Sequence, residues 1–130
     1  MKPEAEQFMA KARNCLAAAS AMADARLAEA AGRTAYFAGF HAAQALLFER
    51  ENRVVKTHNG VHTEWQRLTR DDSEVDKDLR GFLSRSFRFK VTADYGLDPL
   101  DRVTAVQASE AIAMAERFVA LVESKIAALP

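Results

Sequence analysis

The sequence predicts an all-α protein, a single-domain up-down bundle of about five helices. Three observations carry that expectation. Alanine recurs along the whole chain while Gly (5) and Pro (3) are sparse, a balance that favours helix and leaves a sheet short of turns. No segment alternates apolar and polar residues as a half-buried strand would. Apolar residues instead recur at three- and four-residue intervals in successive segments. A chain of 130 residues is sized for one domain, 1–130, around one core.

The first helix begins after Lys2. Pro3 suits its first turn, and Glu4 and Glu6 complement the dipole. Phe8, Ala12, Cys15, Leu16, Ala19 and Met22 form its apolar stripe. Asp24 is the candidate cap between the first two helices. No Gly or Pro ends the first, so one long continuous helix is the alternative. The second helix, Ala25–Glu51, carries two stripes. Ala28, Gly32, Ala35, Gly39, Ala42 and Leu46 form a small one; Tyr36, Phe37, Phe40, Leu47 and Phe48 form a bulky one, with Arg33 and Gln44 along its edge. Mid-helix glycines cost roughly 1 kcal/mol each relative to alanine, which is understandable if another backbone approaches the small stripe. A helix apolar on two sides is buried on two sides, and in so short a chain the second side is expected to face a partner subunit.

Glu51–Lys56 reads as a connection. Thr57 can cap a third helix with inner face His58, Val61, Trp65 and Leu68. Ser73 followed by Asp76 resembles a capping pair opening a fourth, buried through Val75, Leu79, Phe82 and Leu83. Val91-Thr92 weakens that helix, and Gly96 with Pro99 marks a loop. Thr104 and Gln107 form a capping box for the last helix, whose stripe runs Ala108, Ala111, Ile112, Ala115, Phe118, Val119, Val122 and Ile126.

Composition narrows the function classes. Lys+Arg and Asp+Glu both number 18, so any attraction to nucleic acid must come from a local patch. The single cysteine, Cys15, cannot form an internal disulfide; it reads as a small core residue, and a cytoplasmic location is expected. No run of about 18 apolar residues suggests a membrane span, and the N-terminus has no apolar signal core.

Three constellations bear on chemistry. His58 and His62, four apart, can share a helical face, but no third ligand or general base accompanies them, so neither metal nor cofactor is expected. His58 is instead expected to pack or cap, and His62 to be solvated. Arg53 and His58 have a spacing seen in metal-independent ribonucleases, yet straddle a loop and a helix start, and chance accounts for it. The third constellation is basic and aromatic: Arg80, Arg85, Arg88 and Lys90 interleave with Phe82, Phe87 and Phe89 and no acid. Arg85 and Arg88 fall opposite the buried face and are expected to be solvated. Ser86, Lys90 and Asp94 run i, i+4, i+8 along the apolar side, provided the helix continues. Polar groups there need partners. Lys90 and Asp94 can pair with each other, or line a cleft or dimer seam beside Tyr95.

Three segments in order resemble the HEPN family of small prokaryotic helical domains. Arg33–Leu47, containing Ala-Tyr-Phe-Ala-Gly-Phe-His-Ala-Ala, is similar to its aromatic helix. Lys56–Val61 resembles its Lys-Thr-His-x-Gly-Val turn, and Ala93-Asp94-Tyr95 its late Ala-Asp-Tyr. The resemblance implies a helical bundle, usually a homodimer, of toxin–antitoxin or defence type, often beside a minimal nucleotidyltransferase. Some members are ribonucleases with an Arg-x(4–6)-His motif near the last helices. This chain has no histidine after His62; Asp94 stands where that pattern wants one, and Lys90 takes the place of the usual arginine. An aspartate would repel a phosphate, and lysine lacks the planar fork of arginine. The expectation is therefore a dimeric domain binding nucleotide, RNA or a nucleotidyltransferase partner through Ser86, Lys90, Asp94 and Tyr95. A divergent endoribonuclease using Arg88 or Lys90 with Asp94 or His58, and a purely structural or regulatory partner, are the alternatives. In each, His41 belongs to the scaffold.

Overall fold

The computed structural model describes residues 1–130 and contains no strand. Its helices are α1 (Pro3–Asp24), α2 (Ala28–Glu51), α3 (His58–Thr69), α4 (Lys77–Tyr95) and α5 (Ala105–Ala127), with one 3-10 turn at Pro99–Asp101. The five-helix bundle read from the sequence is the fold observed.

Local chemistry sets most of the boundaries. Thr57 accepts from the Gly60 N–H at 3.0 Å. A Cβ at Gly60 would lie 2.6 Å from both the Thr57 hydroxyl and Val55, so the cap requires glycine there. Thr104 and Gln107 close the expected capping box at 3.0 and 3.1 Å. Two boundaries differ from the sequence reading. Asp24 is the last residue of α1 rather than a cap, and α2 starts at Ala28 behind Leu27, with no side-chain cap. The break is a chain reversal in which Arg26 N–H bonds to Ala23 O and Leu27 N–H to Met22 O. Arg26 takes φ 63° at the position where glycine is usual. At the other end of the connection after α3, Asp76 rather than Ser73 caps α4, accepting from Leu79 N–H at 2.9 Å. Asp76 wins because it stands three residues before Leu79, the first buried residue of α4. That helix runs unbroken past Val91-Thr92 to Tyr95.

Helix α2 is the hub and packs against all four other helices. Along α1 the contact is made by small residues, with Ala12 and Ala19 fully buried against an α2 whose Ala31, Ala35, Ala38, Ala42 and Ala45 are likewise buried. Met9 and Ala5 complete this face of α1. The stripe is thus rotated from the expected one: Cys15 is half-buried at the core margin instead of inside it. Gly39 accepts not a backbone but the Phe82 ring of α4, to which an added Cβ would stand 2.6 Å away. Gly32 faces Phe89 and Val103 in the same manner. The glycines therefore serve packing within the chain, and most of both apolar faces of α2 is covered inside one subunit. Phe37 and Phe48 stay half-buried. On the far side, Trp65 lies 4.2 Å from Phe118 between ring centroids and donates its indole N–H to Leu79 O.

Candidate functional site

Helix α4 crosses α2 so that the last turn of α4 stands beside Arg33. Asp94 Oδ1 accepts from Arg33 Nε at 2.8 Å, and Asp94 Oδ2 lies 3.1 Å from Lys90 Nζ. The Lys90 hydrogen bond first, and the Arg33 guanidinium second, hold the Asp94 carboxyl below the ordinary carboxylate range. The trio is thus two cations sharing one anion, with one positive charge in excess. The Lys90 ammonium also sits 5.0 Å from the centre of the Tyr95 ring. That ring is 71% exposed, so one face of a cation-bearing aromatic is open to solvent.

Beneath this surface lies a polar knot in an aromatic shell. The Tyr36 hydroxyl is 2.7 Å from His58 Nδ1 and 2.7 Å from His62 Nε2. A phenol carries one proton, so when both rings are neutral Tyr36 donates to one imidazole and accepts from the other. The two tautomers are thereby coupled. Phe40 and Phe87 each approach the His58 ring to 5.0 Å. Burial pushes the His58 pKa down, helped by Lys90 and Arg33 against the opposing pull of Asp94. Burial, then the neighbouring His58, lowers His62. Burial alone raises the Tyr36 phenol.

The residues singled out in the sequence fall into separate places. Lys90, Asp94 and Tyr95 come together, and Lys90 and Asp94 pair as expected. Ser86 does not join them: it is buried, donates its hydroxyl to Phe82 O at 2.7 Å, and lines the groove between α4 and α5. Arg88 lines that same groove, with its guanidinium 4.5 Å from the Phe89 ring centre. Arg53 pairs with Glu51 and Glu64, leaving its spacing from His58 without a shared function. His62 is half-buried and hydrogen-bonded, not solvated. His41 is scaffold, bonded to Gln44, which in turn donates to Val55 O.

Sequence reasoning placed Arg33 on the edge of the bulky stripe but missed its partner, 61 residues along the chain. It also missed Tyr36 as the meeting point of two histidines. Polar groups set into an otherwise aromatic helix face were the available signal for both. Arg33 and Asp94 form one side of an open cavity of about 560 Å³, with Arg26, Ala28, Arg102 and Val103 on the others.

Compared with known families, the chain matches the HEPN domain model over residues 5–125. No curated protein matches it.

Proposed function

The chain belongs to the HEPN domain family, and from that premise we propose that it is a homodimeric module that binds single-stranded RNA or nucleotide at Arg33, Lys90, Asp94 and Tyr95. HEPN domains in general support toxin, defence or RNA-related roles, and commonly dimerise. One observation carries the finer reading: a cationic trio with an excess positive charge abuts an exposed aromatic ring. A phosphate is attracted by the former, and a base can stack on the latter. The bridging Asp94 then orients Arg33 and Lys90 rather than taking protons. Ser86, with its hydroxyl engaged by the backbone, shapes α4 instead of touching the ligand. The toxin–antitoxin setting and a minimal nucleotidyltransferase partner belong to the same proposal and await pull-down with the product of the adjacent gene.

Fluorescence anisotropy with a short labelled single-stranded RNA tests the binding. Tyr95→Ala is expected to cost about 1–3 kcal/mol if one base stacks there. Lys90→Gln should flatten the salt dependence by about 0.7 in log–log slope. Affinity indifferent to both changes would place RNA elsewhere, and no binding at low salt would favour the purely structural or regulatory partner.

A second reading, a divergent endoribonuclease, is favoured by a specific feature of His58. Its Nδ1 is held by Tyr36 while its Nε2 makes no hydrogen bond inside the protein; in the tautomer whose Nδ1–H donates to Tyr36, Nε2 is free to act as a general base. RNA cleavage abolished by His58→Gln, with binding retained, would establish it.

A further inference from the structure

We propose that the cavity between the α1–α2 reversal and the segment leading into α5 is a terminal-phosphate site, which takes the 5′ phosphates of the nucleotide whose base lies on Tyr95. The inference rests on the binding site proposed above and extends it from a stacking surface to recognition of a chain end.

The cavity, about 560 Å³, is lined by three arginines, Arg26, Arg33 and Arg102, against two carboxylates, Glu29 and Asp94. Asp94 is already shared by Arg33 and Lys90. Arg26 and Arg102, by contrast, come from two different connections and pair with no carboxylate. Two arginines from separate segments, without carboxylate partners and lining one open volume, leave it with a local excess of positive charge that attracts an anion. Their planar forks suit phosphate oxygens. The first turn of α2 forms one wall, and no side chain caps its amide N–H groups, so they add donors to a site the arginines already define.

Continuity with the stacking surface sets the ligand. Asp94 lines the cavity, and its neighbour Tyr95 carries the exposed ring. A ligand with its base on Tyr95 can then place its 5′ phosphates against Arg26 and Arg102. An RNA 5′ end and a free nucleoside triphosphate share this chemistry.

The test measures binding of one RNA sequence carrying a 5′-hydroxyl, a 5′-monophosphate or a 5′-triphosphate, together with ATP and inorganic tripolyphosphate. The proteins are the wild type, Arg26→Gln/Arg102→Gln and Tyr95→Ala, each first checked by circular dichroism. The expected result is affinity rising with phosphate number, the 5′-triphosphate RNA binding about tenfold tighter than the 5′-hydroxyl RNA, a gain of one strong charge-assisted contact. The double arginine variant should erase that preference. ATP binding as tightly as the triphosphate RNA identifies free nucleotide as the source; much weaker ATP binding identifies the RNA end. Tripolyphosphate or ATP bound through the arginines, with no RNA bound at all, keeps the phosphate site and overturns the RNA reading. RNA binding that needs Tyr95 but ignores the 5′ group overturns the phosphate site and leaves the RNA reading intact. Preference for phosphorylated ends that survives the double variant also overturns it.

Discussion

Tyr36 shows how one residue ties three helices to one another. Its hydroxyl sits on α2 and joins two imidazoles of α3, while its ring lies 5.4 Å from Phe87 of α4. Removing the hydroxyl in Tyr36→Phe strips a partner from both imidazoles and should destabilise by on the order of 1–3 kcal/mol, read as a shift in urea midpoint at pH 7.5. The histidines also make a pH prediction. Both have folded pKa values lowered from the ordinary value of 6.5. Between the lowered and the ordinary values the unfolded chain binds more protons, so stability rises with pH through that window. It should be complete above about pH 7 and fall as pH drops below roughly 6.5. His41, whose pKa burial likewise lowers, contributes in the same direction. His62→Gln should lessen the slope in urea titrations between about pH 7 and 5; an unchanged slope would show that His62 titrates alike in both states. Asp94, lowered by Lys90 and Arg33, acts in a more acidic window, below the ordinary carboxylate value.

At the scale of the element, α2 and α4 meet through glycine notches and phenylalanine rings. The two glycines differ in how much room they leave. An alanine Cβ at position 39 would meet the Phe82 ring at 2.6 Å, whereas at position 32 the nearest atoms are 3.3–3.4 Å away. Gly39→Ala should therefore cost about 1–3 kcal/mol through overpacking of a buried ring. Gly32→Ala should be close to neutral, because the roughly 1 kcal/mol gain in helix propensity offsets a tight contact. Thermal melts of the two variants check this, and equal effects would contradict the notch description.

The elements also show what was legible in the sequence. The stripe of α5 and the Thr57 and Thr104 caps are written within a few residues, and local spacing found them, whereas the α1 stripe came out rotated toward Ala5 and Met9. Ser73 and Asp76 are both good caps by composition; which one acts depends on where the buried face of α4 begins. The end of α1 was harder, because Arg26 does there what glycine usually does. Pairing across elements was not legible. Arg33 with Asp94, and Tyr36 with His58 and His62, follow from crossing geometry that no local pattern encodes. Lys90 with Asp94, four apart on one helix, was legible for that reason.

For the whole molecule, zero net charge means that binding to nucleic acid depends on local asymmetry and should be strongly salt-sensitive only through the Arg33–Lys90–Tyr95 surface and the adjoining arginines. No helix is long and apolar enough to cross a membrane. Because one chain covers most of both apolar faces of α2, a homodimer would have to use other surface. The exposed Leu97 and Leu100 lie beside the proposed site, so pairing through them would bring two sites close together. Sedimentation equilibrium should then show a dimer that Leu97→Asp/Leu100→Asp weakens; a dimer untouched by those changes would seat the interface elsewhere.

The most direct measurement of the central claim is an amide NMR titration of the ¹⁵N-labelled protein with a short single-stranded RNA. The expected shifts cluster at Arg33, at Lys90–Tyr95 and at the neighbouring Arg26 and Arg102. Shifts confined to the exposed faces of α1, α3 or α5, with Lys90–Tyr95 unmoved at saturation, would contradict it.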